Sequence, residues 1–385
     1  MADKITEVTT RSWGGKIMDS IKGVVFGLVL FLAAFVVLWV NEGRTDLSKV
    51  AAKETVPVDA TVLDTTHEGK PVSVTGMLSS YETLGDPEFL SPGKFLVLTR
   101  NVEMYAWVEK SESKTEKNTG GSETTTTTYS YVQEWTSSPA DSSTFKDPAG
   151  HTNPPMQYQD QTFYVNNASV GVYPVDIRSL SLPGETEVVL NASMVNPRYS
   201  GMINGNYIFI KPGGYGYYGE STAPAVGDLR IHYTALNSDI NVTVFGLLQG
   251  GRIVPYIYKG KDTLYHARAG TRDEAIATLH KEYQTVGWIL RLVGFLMMWI
   301  GLTMCFAPIN AVLDVLPFLG NVGRGLIAVV MFIVALGLSL ATIIVSMIAH
   351  NPIALIITIV VLIGVVFLVG RLIKKRKAAP QAPAA

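Results

Sequence analysis

The apolar positions of this chain are gathered towards its two ends. Gly23–Val40 is an unbroken apolar run that stops at Asn41-Glu42-Gly43-Arg44. A long, mostly polar stretch, Asn41–Thr285, follows it. Three more apolar runs, Val286–Ala307, Gly325–Ile348 and Ile353–Gly370, crowd the carboxyl-terminal quarter. Each run is close to the ~20 helical residues that cross ~30 Å of hydrocarbon. The pattern predicts an α+β integral membrane protein with four transmembrane helices (1+3). A large β-rich extracytosolic domain is inserted between the first and the second.

Inside the polar stretch the apolar period shortens to two. Val72–Leu78, Phe95–Thr99, Val102–Glu109, Thr126–Trp135, Tyr207–Lys211, Leu229–Thr234, Ile240–Leu248 and Ile253–Tyr258 alternate and are rich in β-branched and aromatic residues. Gly, Pro, Asn and Asp punctuate them, which predicts strands. Asn101–Lys110 and Thr126–Trp135 read as hairpin partners. Ser111–Thr125 between them has nothing to bury and reads as a flexible tip. Val72-Ser-Val-Thr-Gly-Met-Leu78 and Val242-Thr-Val-Phe-Gly-Leu-Leu248 share a frame. A duplicated lobe would produce it, and so would any two alternating strands, so one domain and a duplicated pair both stay open. Leu47–Glu54 is predicted to continue the first span outward as a helix. Thr271-Arg-Asp-Glu274 has the capping-box spacing and opens a helix over Ala275–Thr285 that feeds the second span. The domain is thus expected on two helical stalks. Gly213–Gly219 reads as tight turns, or as a tyrosine contact patch.

Charge orients this plan. A formal net charge of −1 gives no reason to expect a nucleic acid partner. Residues 1–22 carry Lys4, Arg11, Lys16 and Lys22, and residues 371–385 carry Arg371, Lys374, Lys375, Arg376 and Lys377. The link Ala349–Pro352 carries no Lys or Arg. The positive-inside bias therefore makes both tails cytoplasmic. The first run is longer than a signal-peptide core and no Ala-x-Ala follows it, so a retained anchor is expected. The single cysteine, Cys305, falls in the second span, which leaves the domain without a disulfide.

Chemistry is scarce. The sequence has no G-x-S-x-G, H-E-x-x-H, G-x-x-x-x-G-K-[ST] or C-x-x-C, and its 6 histidines lie without metal-ligand spacing. No enzyme, cofactor or metal site is expected. Gly320-Asn-Val-Gly-Arg-Gly325 resembles a phosphate loop but follows no strand, so it reads as a loop and helix start. Charges near the spans are the sharper signal. Asn41, Glu42, Gly43 and Arg44 close the first span where headgroup phosphates lie; Arg44 suits a phosphate, and Glu42 a neighbouring base. Arg291 lies about four residues into the second span, where its stem can snorkel. Asp314 and Arg324 fall in the cytoplasmic link 308–324, whose Ile309–Asn321 part is expected to lie flat on the membrane. These charges read as anchoring or intersubunit pairing rather than an ion path. Gly287, Gly294 and Gly301 recur every seventh residue and form one face of the second span. Such a face packs closely against another helix of the chain or of a second protomer. Met298 is expected on the opposite face.

Several ordered pieces resemble the transmembrane protein 43 (LUMA) family. They are Asn41-Glu42-Gly43-Arg44 at the first span's end, Asn101-Val-Glu-Met-Tyr-Ala-Trp-Val-Glu109, and the aromatic return Tyr129-Ser-Tyr-Val-Gln-Glu-Trp135. Gly150-His-Thr-Asn-Pro154, Val226-Gly-Asp-Leu-Arg230, Val254-Pro-Tyr with Gly260-Lys-Asp-Thr-Leu264, and Gly287-Trp288 complete the set. The resemblance implies a non-enzymatic, multi-pass protein that self-associates and organises membranes. Its expected partners are membrane lipids, copies of itself as a homo-oligomer, and other membrane proteins. It implies the endoplasmic reticulum and inner nuclear membrane in a eukaryote and the inner membrane in a bacterium. The Ala/Pro-rich end of the chain favours a bacterial source. An ion channel or transporter and a lipid-handling protein are the rival readings.

Overall fold

Alternation in the polar stretch becomes two large sheets and two two-stranded ones, Tyr256–Tyr258 with Asp262–Leu264 and Leu84–Asp86 with Leu90–Gly93, in a computed structural model that describes residues 4–118, 122–199, 202–211, 223–309, 317–353, 355–358 and 360–361. The strands are β1 (Lys4–Arg11), β2 (Val56–Asp59), β3 (Pro71–Ser79), β4 (Leu84–Asp86), β5 (Leu90–Gly93), β6 (Phe95–Lys117), β7 (Glu123–Thr136), β8 (Gln161–Tyr164), β9 (Ala168–Val170) and β10 (Tyr173–Val175). They continue with β11 (Thr186–Glu187), β12 (Ile203–Asn204), β13 (Tyr207–Ile210), β14 (Leu229–Asn237), β15 (Ile240–Gln249), β16 (Arg252–Val254), β17 (Tyr256–Tyr258), β18 (Asp262–Leu264) and β19 (His266–Ala269). The helices are α1 (Trp13–Glu42), α2 (Leu47–Glu54), α3 (Arg272–Cys305) and α4 (Pro317–His350).

The chain divides into two compact units. The first comprises Met1–Thr9, Asp46–Thr115 and Thr125–Tyr283, and the second Thr10–Thr45, Glu116–Thr124 and Gln284–Ala385.

In the first unit, one sheet runs β1-β7-β6-β14-β13-β12, with β11 and β8 at its sides. The other contains β19, β15, β16, β10, β9, β3 and β2, and its pairings close on themselves because β15 also pairs with β3. Inward residues of the second sheet, including Val72, Val74, Val170, Tyr173, Val242 and Val244, build one core with Leu96 and Val97 of β6. Leu98, Val102, Met104, Ile208, Ile231 and Tyr233 build another with Phe89 and Leu90. A third, smaller core joins Val50 and Ala51 of α2 to Phe245, Leu264, Ala275 and Leu279. The two V-x-V-x-G-x-L frames are β3 and β15, antiparallel neighbours with Val74 opposite Val244 and Gly76 opposite Val242. They share a sheet and a core, which accounts for their likeness without a second lobe.

Capping fixes the stalk helices. Asp46 accepts the Ser48 amide at 3.1 Å and starts α2. Arg272 ends it from far along the chain, donating to the carbonyls of Ala51 and Ala52, both at 3.1 Å, and of Thr55 at 3.3 Å. The capping box forms as its spacing predicts, with Glu274 accepting the Thr271 amide at 2.8 Å.

Three sequence expectations need correction. Ser111–Thr125 is not a loose tip: β6 runs to Lys117 and β7 resumes at Glu123. Cross-strand hydroxyl pairs Ser113–Thr127 and Thr115–Thr125, at 2.9 and 3.0 Å, extend the ladder, which threonine runs favour. Lys4–Arg11 is not a tail but a strand beside β7. α4 begins at Pro317, so Gly320–Gly325, expected as a loop, lies inside a helix; Pro suits a first helical turn.

Three helices among the described residues are long and apolar enough to cross a membrane. Of the fourth run, only residues to 361 are described, and these begin as helix. The rest of that run, the basic segment 371–385 and Gly213–Gly219 lie outside the described residues. So do residues 310–316 of the Ile309–Asn321 segment, including Asp314.

Candidate site at the membrane boundary

Within the second unit, the last turn of α1 is where sequence-predicted residues converge. Glu42 is buried there, its side chain 7% exposed. Arg291 of α3 grips it with two bonds, Nε to Oε1 at 2.7 Å and Nη2 to Oε2 at 2.8 Å. This fork-on-carboxylate arrangement is the strongest common ion pair because both donors and both acceptors are aligned. The other face of the guanidinium meets an aromatic ring: its Cζ lies 4.9 Å from the centre of Trp288, one helical turn earlier. Asn41 donates its side-chain amide to the Gly287 carbonyl and to Glu42 Oε1, both at 3.2 Å. Its Oδ1 is buried and accepts no hydrogen bond among the described residues.

α4 closes the other side of the same turn. The His350 ring lies against Gly43, where a Cβ would come 2.5 Å from Nε2. His350 Nδ1 donates to the Ser346 carbonyl at 2.9 Å, and Ser346 Oγ donates to the Trp39 carbonyl at 3.1 Å. The Trp39 and His350 rings lie 5.1 Å apart. Only glycine leaves room for the imidazole at position 43.

Below this cluster the glycines of α3 meet α1. A Cβ on Gly294 would come 2.6 Å from Leu38 Cδ2, and one on Gly301 would come 2.7 Å from the Gly27 carbonyl oxygen. Gly287 differs, since its nearest neighbour is the Arg44 guanidinium, with Nη2 3.6 Å from where a Cβ would stand. Met298 is fully buried, and Ser339 Oγ of α4 lies 3.4 Å from its sulfur. It is not opposite Gly294: four residues return a helix to nearly the same side. Trp299 Nε1 donates to the Ala328 carbonyl at 3.0 Å and joins α3 to α4 again. An apolar cavity of about 510 Å³ opens between Phe35, Val36 and Trp39 of α1 and Leu338, Ala341, Thr342 and Val345 of α4.

Asn41, Glu42, Gly43, Arg44, Gly287 and Arg291 are thus brought together, while Gly294 and Gly301 form a seam further along α3. Arg324 falls on α4. The sequence reading missed Trp39, Ser346 and His350, and it gave Trp288 no contact with Arg291. Trp288 carried a usable signal, because a position three before Arg291 shares its helix face. His350 carried none beyond its place after an apolar run.

The arrangement ties the carboxyl ends of α1 and α4 to the middle of α3. A family profile described as Transmembrane protein 43 matches residues 104–352. The chain belongs to the transmembrane protein 43 family. Transmembrane protein 43 of Mus musculus is 27% identical over 370 residues, covering 91% of this chain and 90% of that protein. The Homo sapiens protein is 28% identical over 370 residues, covering 90% of each. The transmembrane protein 43 homolog of Drosophila melanogaster is 30% identical over 296 residues, covering 72% of this chain and 75% of that protein. No solved structure matches the chain. As a member of the transmembrane protein 43 family with three apolar helices, the protein is compatible with a multi-pass integral membrane protein.

Proposed function

We propose that this transmembrane protein 43 family member is a non-enzymatic membrane scaffold that self-associates and organises the bilayer or other membrane proteins around it. The observation that carries the reading is the continuity of α3. A single unbroken helix supplies Ala275 and Leu279 to a core of the β-rich unit and Gly294, Met298 and Gly301 to the helical packing. A helix that takes part in both units suits a protein that couples a folded domain to a set of apolar helices. The Arg291–Glu42 fork and the Gly27–Gly301 approach hold those helices together.

The same proposal includes the four-span plan, with Ile353–Gly370 as the fourth span, both termini cytoplasmic and the β-rich domain outside. The basic flanks support it. A lipid-handling role is the second reading, favoured by the 510 Å³ apolar cavity. Its one hydroxyl, on Thr342, already donates to the Leu338 carbonyl at 2.7 Å and is not free to orient a headgroup.

The test is the mass of the purified full-length protein in mild detergent and in lipid nanodiscs across a concentration series. Assemblies of two or more copies are expected at micromolar protein. A monomer throughout, combined with ion or lipid flux in liposomes holding only this protein, would replace the scaffold with one of its rivals.

A further inference from the structure

The cavity between α1 and α4 ends under a polar ring. Val36 and Trp39 line it on α1, and Ala341 and Val345 on α4. Gly43 follows Val36 by seven residues and Trp39 by four, so it continues the same face of α1 beyond the cavity. The His350 ring of α4 lies against Gly43, with its centre 5.1 Å from that of Trp39. His350 thus stands over the end of the cavity nearest the Glu42–Arg291 pair.

Hydrogen bonds fix which nitrogen of that ring is bare. Nδ1 lies 2.9 Å from the Ser346 carbonyl oxygen, which can only accept, so Nδ1 carries the proton. Ser346 Oγ is also 3.2 Å from Nδ1, but it gives its own proton to the Trp39 carbonyl at 3.1 Å. In the neutral imidazole Nε2 is then an acceptor, and it takes no hydrogen bond among the described residues. An acceptor in that place repels the oxygens of a phosphate or carboxylate and suits a hydroxyl. Beneath it lie 510 Å³ walled by aliphatic and aromatic side chains, with the Thr342 hydroxyl turned to its own helix. That volume falls within the ~300–1,000 Å³ of small-molecule sites. A rigid apolar body gives up less freedom on entering such a slot than a flexible acyl chain does.

We propose that the groove between α1 and α4 binds a membrane sterol. Its hydroxyl donates to His350 Nε2, and its fused rings lie between Val36 and Trp39 on one side and Ala341 and Val345 on the other. The hydroxyl then sits at the charged boundary of the helices and the rings in hydrocarbon, as a sterol is oriented in a bilayer. This inference rests on α1 and α4 crossing the membrane. It uses the cavity that favours the lipid-handling reading but requires binding only, and it holds for a monomer as well as for an assembly.

The experiment cross-links a photoreactive cholesterol analogue, hydroxyl intact, to the full-length protein in phospholipid nanodiscs, with unlabelled sterols as competitors. Saturable labelling of α1 and α4 is expected. Cholesterol should compete about fivefold better than its methyl ether, the worth of one ordinary hydrogen bond. His350→Phe keeps a ring against Gly43 and should make the two competitors equal. Ala341→Phe fills the cavity and should abolish labelling. Leu340→Phe is the control, since Leu340 is 51% exposed and the next position along a helix faces elsewhere. Labelling that does not saturate, or that survives Ala341→Phe, overturns the proposal. Equal competition by alcohol and ether in the parent also overturns it. So does an Ala341→Phe variant that changes the particle mass and leaves labelling intact, which would assign the groove to a second copy of the chain. Thermal unfolding like the parent's shows that misfolding is not the cause. Should Ala341→Phe fail to fold, the two competitors on the parent and on His350→Phe decide the matter.

Discussion

Gly27 and Gly301 bring the backbones of α1 and α3 into direct contact. A Cβ on Gly27 would come 2.8 Å from the Gly301 carbonyl oxygen, and a Cβ on Gly301 would come 2.7 Å from that of Gly27. Neither obstacle is a side chain that can swing away. In hydrocarbon, helices associate by close van der Waals approach, so a lost approach is not repaid by solvent. Gly301→Leu should destabilise the protein by about 1–3 kcal/mol or more. Gly337→Leu is the control, because nothing lies within 4 Å of a Cβ there. Thermal unfolding in one detergent should separate the two variants clearly. Equal melting temperatures would show that the seam contributes nothing.

The Glu42–Arg291 fork predicts an asymmetry. Removing Arg291 leaves a carboxylate that is 93% buried without its partner, whereas Arg291 itself is 27% exposed and partly hydrated. Arg291→Leu should cost on the order of 2–3 kcal/mol, below the 3–5 of a fully buried pair because of that hydration. Adding Glu42→Gln to Arg291→Leu should recover part of the loss, since no charge is then stranded. A double variant less stable than the sum of the two single ones would contradict the pairing argument.

His266 predicts a pH dependence. Burial first, and the neighbouring Arg268 second, lower its pKa from 6.5 to about 4, against a smaller opposing effect of Glu282. The unfolded chain therefore takes up a proton near pH 6.5 that the folded chain takes up only near pH 4. Stability from the neutral ring is complete above pH 6.5 and is lost as the pH falls towards 4, on the order of 3 kcal/mol in all. His266→Gln does not titrate and should flatten the fall in melting temperature between pH 7 and pH 5. A variant with the parent's full pH slope would move the cause to other groups.

Much of the β6–β7 extension is solvated on both faces, so shortening it should be cheap. Replacing residues 114–126 by Asn-Gly leaves Ser113 opposite Thr127 and supplies a favoured two-residue turn. The melting temperature should stay within a few degrees, because chain-closure entropy changes slowly with loop length. A loss comparable to that of Gly301→Leu would reveal a contact made by the removed segment.

The side of the amino terminus can be decided directly. The topology proposed from the basic flanks puts residues 1–22 in the cytoplasm, whereas β1 pairs with β7, a strand of the β-rich domain. A chain that crosses the bilayer once between residues 12 and 43 cannot do both. Seven of the eight residues of β1 are exposed, so the ladder and the Lys146–Glu7 pair at 2.9 Å are its main ties. Such an edge is weak, and the charge rule should prevail. A cysteine at Thr9 should react with an impermeant reagent only from the cytoplasmic side. Reaction from the outside would keep the strand and reverse the topology of α1.

How much of this was legible depended on whether a signal was local. Three of the four predicted spans were legible as long apolar helices because a sustained apolar run favours one. The capping box at Thr271 was legible because its partners stand three apart. The seventh-residue glycines announced a close-packed face, but spacing cannot say which helix lies across it, and Gly287 turned out to face Arg44. Lys4–Arg11 escaped notice because a strand exposed on nearly every residue shows no alternation. The extension beyond Lys110 was read as loose because its side chains bury nothing, whereas cross-strand hydroxyl pairs sufficed. His350 and Ser346 reach the boundary cluster only through the three-dimensional return of α4.

The carbonyls that end α2 receive their hydrogen bonds from Arg272, 221 residues later than Ala51. Thr75 of β3 likewise meets Thr243 of β15 across 168 residues. Ribosomes deliver a chain amino end first, at ~5–20 residues per second, so Ala51 waits roughly 10–40 s for its partner. α1 is made early and can enter the bilayer long before then. Throughout that interval β3 has an unsatisfied edge and the end of α2 is uncapped, a state open to mispairing with other nascent chains. The β-rich unit can close only as α3 emerges, which makes completion of the fold and arrival of the next membrane helix nearly one event.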